Sequence, residues 1–442
     1  MTSSHPTPAP CQWFSRLATV LDRRSAPRLA LLFLGTLLAR GRRTVTTWIR
    51  AAKLSDQYQS CYIAVAAVGK RADSVARRLL IEVVRPLLAG ATRLTLALDD
   101  TPTQRYGPHV QGAGVHHNPT PGPAGSPYVY GHVFVVLGLL VTHKAWGTIA
   151  LPLLARLYIR KKDLPAIDPK HRPAFRTKLE LAVELLRWGK PWLDLLKLPI
   201  WVVADGAYAK RDFLKPAMSL GMTVVSRLRK DAGLRTVPGP PTGKRGRPRT
   251  YGPDKIDLAK RAGQRRGWSS ETLTLYGVAS VKKYKTFLAT WRSVSGVIRV
   301  VLVDEPNGWR AFFCTDTSAS VADVLGMVAD RFSLEITFRD CKEIVGAGQQ
   351  QVRYLWANIG AFHICLWTFT LTEAWAWGRK DEELVDRSAS PWDSPTRRPS
   401  HADKRRAWRR TLLGEEIRAA LRPGVTEEEI QLAADRLLSL AA

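Results

Sequence analysis

The stretch A-T-R-L-T-L-A-L-D-D-T-P-T, residues 91–103, sets a strand-like apolar run directly against two carboxylates, Asp99 and Asp100. A second run, I-W-V-V-A-D at 200–205, ends in the same way on Asp205. Apolar runs of this length read as buried strands. If the two strands lie parallel and adjacent, their carboxylates meet at the carboxyl edge of a sheet. Side chains alternate across a strand, so only one of Asp99 and Asp100 easily faces that shared place. We assign it to Asp100.

Working outward, the chain divides by pattern. Residues 13–88 carry apolar positions at three-to-four spacing with basic residues between, which predicts a helical domain over 1–90. DNA-end binding and plain packing are both open readings for it. Strands are expected at 94–98, 128–141, 148–157, 200–204 and 222–228, with helices at 174–196 and 209–219. Residues 91–229 thus read as the first part of an α/β core with mixed strand directions. Residues 230–310 read as a β-rich insertion. It opens with a Pro-, Gly- and Arg-rich loop at 236–253 and has strands in L-T-L-Y-G-V-A-S-V (273–281) and V-I-R-V-V-L-V-D (297–304). Helices resume near Val321 and run to Trp377 with a break at 346–348, so 311–378 complete the core. Residues 379–442 form a polar linker and a tail of two short helices.

Composition narrows the function. The 442 residues carry 67 Lys+Arg against 38 Asp+Glu, a formal charge of +29, together with 45% hydrophobic residues and 15 Trp. A disordered chain of this charge would lack the aliphatic and aromatic residues to bury, so the surplus charge sits on a folded surface. Clustered Lys and Arg favour a polyanion, because contact with phosphate releases counterions. The five cysteines, Cys11, Cys61, Cys314, Cys341 and Cys365, are odd in number and contain no C-x-x-C pair, which suits reduced thiols. No apolar run reads as a membrane span, and the first 14 residues do not read as a signal peptide.

A third carboxylate lies in R-F-S-L-E-I-T-F-R-D-C-K, residues 331–342. On a helix, Arg331, Glu335 and Lys342 share one face. An acid bracketed by two bases suits a site that holds a metal and steers a phosphate, although a solvated salt-bridge face would look the same. Three carboxylates from two strand ends and a helix can hold two divalent cations, which prefer oxygen ligands and stabilise both oxygens of an in-line phosphodiester displacement.

With these residues in view, the chain resembles the DDE transposases of bacterial insertion sequences, whose core is an RNase H-like mixed sheet. L-D-D-T at 98–101 is similar to the first acidic motif, in which the aspartate just before the threonine is the ligand, and this supports Asp100. V-V-A-D-G-A-Y at 202–208 resembles the second motif, and T-V-V-S-R-L at 223–228 the strand after it. Arg331, Glu335 and Lys342 match the spacing of the Tyr-Arg-Glu-Lys signature, with Val328 at the tyrosine position. The intervals, 205 − 100 = 105 and 335 − 205 = 130 residues, and the β-rich segment before the glutamate also match.

The resemblance spans residues 93–377, and it implies cut-and-paste transposition. Strands would be hydrolysed at the transposon ends and the 3′-OH then transferred into target DNA. It further implies two Mg²⁺ ions on Asp100, Asp205 and Glu335, with Mn²⁺ as a substitute, and Arg331 and Lys342 on phosphates near the scissile bond. The expected partners are double-stranded DNA and a second copy of the chain in a synaptic homodimer. The expected location is the bacterial cytoplasm, at the nucleoid.

Other features carry weaker expectations. G-K-R-G-R-P-R at 243–249 resembles an AT-hook, although a basic loop that only contacts phosphate is the preferred reading. It puts Lys244, Arg245, Arg247 and Arg249 on DNA, and Arg227, Arg229 and Lys230 would line the DNA path. Arg105 reads as a phosphate contact or a turn residue. The histidines at 109–143 match no common zinc spacing. Trp356, Trp367, Trp375 and Trp377 read as core. Two other functions remain open on the same residues: a metal-dependent endonuclease without strand transfer, and a catalytically inactive DNA-binding protein.

Overall fold

Strand β1 (Leu94–Gln104) lies between an antiparallel and a parallel neighbour, and the rest of the sheet is laid out from it. The computed structural model describes residues 12–118, 125–240, 249–388 and 390–441. After β1 come β2 (Gly114–His117), β3 (Tyr128–His143), β4 (Gly147–Tyr158), β5 (Ile200–Ala204), β6 (Thr223–Leu228), β7 (Leu234–Arg235) and β8 (Lys255–Ile256). Then follow β9 (Ser269–Leu275), β10 (Val278–Trp291), β11 (Gly296–Asp304) and β12 (Arg310–Cys314). They form one 12-stranded sheet in the order β2-β3-β1-β5-β6-β12-β11-β10-β7-β8, with β4 also on β3 and β9 on β10. β1 is parallel to β5 and β5 to β6; the other pairings are antiparallel.

The helices are α1 (Gln12–Ala18), α2 (Ser25–Leu38), α3 (Val45–Ala51), α4 (Tyr58–Lys70), α5 (Ala72–Arg78), α6 (Lys178–Asp194), α7 (Arg211–Ser219) and α8 (Leu258–Gly263). They continue with α9 (Val321–Asp340), α10 (Leu355–Ala376), α11 (Asp381–Leu384), α12 (His401–Ala420) and α13 (Glu427–Ala441). α6 and α9 cover opposite faces of the sheet. A side chain at Gly189 of α6 would touch Leu137 and one at Gly138 would touch Leu334 of α9, and consecutive residues of β3 point to opposite faces. Being covered on both sides explains why Leu94, Leu96, Ala97 and Leu98 are all fully buried.

α9 is anchored at its start. Ser320 and Asp323 form a capping box, and Asp323 also pairs with Arg93 at the foot of β1, 2.5 Å away. α10 is apolar all round, which marks a buried helix, and three of its polar groups serve β4. Trp367 and Thr370 donate to the carbonyls of Leu153 and Pro152, and His363 Nε2 accepts from the amide of Ala155. These bonds satisfy backbone groups where the β3–β4 register shifts.

Four features depart from the sequence expectations. β1 continues six residues past Leu98, because β3 goes on pairing with it as far as Gln104 after β5 has ended at Ala204. The stretch 273–281 is a hairpin rather than one strand: Tyr276 and Gly277, with φ of 55° and 78°, make the left-handed two-residue turn between β9 and β10. The β-rich segment continues the same sheet, since β12 pairs with β6. The two tail helices, α12 with 20 residues and α13 with 15, are longer than expected, and α12 packs on α10. Among the described residues no helix is long and apolar enough to cross a membrane.

Candidate nuclease site

The parallel register of β1 and β5 pairs Leu98 with Ala204, so the next residues, Asp99 and Asp205, follow side by side. Asp205 is held by its own turn, accepting from the Ala207 amide at 2.9 Å. α9 crosses this edge and presents Arg331, whose Nη1 lies 2.5 Å from Asp99 Oδ2 and whose Nη2 lies 2.7 Å from Glu335 Oε1. Burial pushes the Asp99 carboxyl up to about 7, although Arg331 and the Asp100 amide both favour its ionised form. Glu335 is the more open of the two acids, with 44% of its side chain exposed against 18% for Asp99.

Asp100, the residue expected in this place, faces the other side of the sheet. Its carboxylate pairs with Lys178 at the start of α6, 2.6 Å away, and accepts from the Tyr208 hydroxyl at 3.3 Å. Burial and the nearby carboxylates raise the Tyr208 pKa well above its ordinary value, so the phenol keeps its proton and donates. The physical reason is the alternation of β1: neighbouring residues cannot share a face. Nothing in the order of letters D-D says which is which, because that depends on the register with β5.

Lys342 also departs from the expected cluster. α9 runs along β1, from Asp323 beside Arg93, through Arg331 beside Asp99, to the π-helical turn Cys341–Val345 near the end of the strand. Seven residues of helix carry Lys342 roughly 10 Å beyond Glu335. It lines a groove of about 840 Å³ with Arg42, Thr103, Gln104 and Tyr106, and burial lowers its pKa. This groove has a basic neighbourhood that the sequence did not reveal. Burial and mutual repulsion with Arg43 and Arg409 hold Arg405 at about 9, and Arg409 is lowered by burial and by Arg40 and Arg43.

A cavity of about 370 Å³ opens beside Asp205, Arg331 and Glu335. Arg227 and Arg310 line it, together with Lys282 and Glu305, which form an ion pair at 3.1 Å. The hairpin tip closes one side: Tyr276 stands edge-on to Phe332 of α9, ring centres 6.0 Å apart. Val328, at the signature's tyrosine position, lines the same cavity. Arg227, Arg229 and Lys230 share a further hollow with Asp205, where Arg229 pairs with Asp231 at 2.8 Å and Lys230 lies 4.7 Å over the ring of Trp309. Arg249 is exposed, and Lys244, Arg245 and Arg247 lie outside the described residues. Arg105 faces inward: it donates to His132 Nδ1 and to the Gly348 carbonyl, tying the end of β1 to the loop after α9. Sequence reasoning missed Arg42, Lys178, Tyr208, Tyr276, Lys282, Arg310 and Phe332, which reach their places through long-range pairings; only the Gly after Tyr276 signalled its turn.

Among the described residues no three His, Cys, Asp or Glu side chains stand close enough together to hold a metal ion. The donor chemistry of Asp99, Asp205 and Glu335 nevertheless suits a hard divalent cation, all three offering carboxylate oxygens. A cationic group, the Arg331 guanidinium, already bridges two of them. Residues 16–294 match the family model described as DDE superfamily endonuclease, a span that contains Asp99, Asp100 and Asp205 and stops before Glu335. No curated protein matches the chain.

Proposed function

The chain belongs to the DDE superfamily endonuclease family, and we propose that it is a DNA transposase whose cation ligands are Asp99, Asp205 and Glu335. The observation that carries this reading is the register that sets Asp99 beside Asp205 under the Arg331–Glu335 pair. Sheet order supports an RNase H-like core: three antiparallel strands, β4, β3 and β1, are followed by β5 and β6 parallel to β1. The three carboxylates would hold two Mg²⁺ ions, or Mn²⁺, which supply Lewis-acid stabilisation for hydrolysis and for strand transfer.

The chain's own residues do the rest. Arg227 and Arg310 offer donors to phosphate oxygens in the cavity. Tyr276 and Phe332 present apolar ring surface at its mouth, which keeps bulk water from one side. Lys342 and Arg42 hold the DNA backbone farther along β1, as phosphate contacts that position without reading sequence. Asp100 carries no cation in this reading; with Lys178 and Tyr208 it fixes β1 to the opposite helix layer. Two transposon ends call for two copies of the chain in the synaptic complex.

The test is Mg²⁺-dependent cleavage of a labelled duplex bearing the element's own end, with wild type beside Asp205→Asn, followed by an assay for joined products from pre-cleaved 3′-OH ends. Cleavage and joining by wild type alone are expected. Cleavage without joining would make the protein an endonuclease, and binding without cleavage by either protein would leave a DNA-binding relative of the family.

A further inference from the structure

Arg331 occupies the point at which the carboxylates converge. One guanidinium ties the buried strand acid to the half-exposed helix acid, through contacts of 2.5 and 2.7 Å, and only 17% of its side chain is exposed. A divalent cation that bridged Asp99 Oδ2 and Glu335 Oε1 would compete with these two N–H groups for the same oxygens. It would also sit within a few ångströms of a fixed positive charge, which is repulsive in a partly buried place. Guanidinium and cation therefore compete at these oxygens, and binding of either disfavours the other.

The guanidinium has a place to go, on one condition. Arg331 lines the cavity beside it, and the cavity already holds Arg227, Arg310 and Lys282. Of the acids there, Glu305 is engaged by Lys282, and Asp205 and Glu335 belong to the carboxylate site itself. Moving a fourth cation among three would be unfavourable unless an anion entered with it. A DNA phosphate supplies that anion and accepts the guanidinium's fork of donors in bidentate fashion.

We propose that Arg331 is a positioning residue that clasps Asp99 and Glu335 while DNA is absent, and that a phosphate of the bound duplex draws it away and opens the carboxylates to the cation. The inference rests on the reading of Asp99, Asp205 and Glu335 as the cation ligands. Its thermodynamic content is positive coupling: DNA tightens cation binding and the cation tightens DNA binding by the same factor, roughly 5–150-fold for coupling of ordinary strength. A cation taken up only beside DNA also keeps the chain from holding an armed site in its free state.

The experiment is a Mn²⁺ titration of the full chain, followed by the electron paramagnetic resonance of the free ion, with and without a short duplex and with the duplex-only background subtracted. Wild type is compared with Arg331→Gln and Asp205→Asn. The expected result is weak binding by wild type alone and tighter binding with duplex. Arg331→Gln should bind tightly without duplex and gain little from it, and Asp205→Asn should bind poorly throughout. If Arg331→Gln binds no tighter than wild type without DNA while Asp205→Asn loses the ion, the clasp is overturned and the carboxylate site stands. If Asp205→Asn binds as wild type does, the carboxylate reading falls and the clasp with it. Should Arg331→Gln not fold, as judged by circular dichroism, wild type decides alone: an affinity for Mn²⁺ unchanged by duplex overturns the proposal.

Discussion

Asp99 and Asp100 differ in what surrounds their charge. Asp99 shares its face with Asp205 and meets Arg331, whereas Asp100 is paired with Lys178 and bonded by Tyr208. Asp99→Asn should therefore lower metal-dependent cleavage by more than ~100-fold, beyond the usual effect of losing a group that merely supports a metal ligand. Asp100→Asn should stay within about tenfold of wild type in single-turnover cleavage, since the lost interaction is structural. The reverse ranking would return the ligand role to Asp100. A second buried acid bears on stability instead. Glu373 lies 2.7 Å from His401 and 2.5 Å from Lys404; burial disfavours its charge, but these partners outweigh burial and hold its pKa at about 2. A carboxyl lowered on folding contributes stability that is present above its ordinary pKa of 4.5 and is lost as pH falls from there toward 2. That contribution is of order 3 kcal/mol. Urea unfolding followed against pH should show the loss in wild type and a flatter profile in Glu373→Gln. At neutral pH that variant should be less stable by roughly 3–5 kcal/mol, because Lys404 is left buried without its partner charge.

At the scale of elements, the crossing of α4 and α10 depends on two glycines. A methyl group at Gly360 would overlap the Val65 carbonyl, and one at Gly69 the carbonyl of Trp356. Gly360→Ala should cost at least ~1–3 kcal/mol by forcing the helices apart. Gly326, inside α9, has open space around its missing side chain, so Gly326→Ala should be neutral or stabilising by up to about 1 kcal/mol. Thermal unfolding of the two variants checks both signs, and equal effects would mean that the close approach does not matter. Elements of this kind were legible when one apolar run made one element, as for β5, β6 and β11. They were illegible when two elements shared one stretch: L-T-L-Y-G-V-A-S-V carries strand-forming residues on both sides of the hairpin turn, with Gly277 as the one signal between them. The extension of β1 was hidden for a related reason, since its polar second half is held by β3 rather than by its own composition. The acids could be picked out singly from the sequence, yet which of two adjacent aspartates joins Asp205 depends on a register that no local pattern states.

Across the whole molecule, one hydrophobic cluster runs from Phe14 to Leu412, so the amino-terminal helices, the sheet and the tail share a core. The surface around it carries the +29 charge. DNA affinity should fall steeply with salt, with a logarithmic slope of about −0.9 for each phosphate neutralised. Arg42→Ala and Lys342→Ala should each reduce that slope by about 1 in a binding titration across salt concentrations. Unchanged slopes would remove the groove at the end of β1 from the DNA path. The order of the chain adds a consequence in time. Glu335 is made 130 residues after Asp205, once the segments that form β7 to β12 have been synthesised. At about 5–20 residues per second, a ribosome needs roughly 7–26 s to cover that distance. Throughout that interval the nascent chain carries both aspartates and much of its positive charge without the glutamate that completes the proposed site, so it can meet DNA before it can cut it.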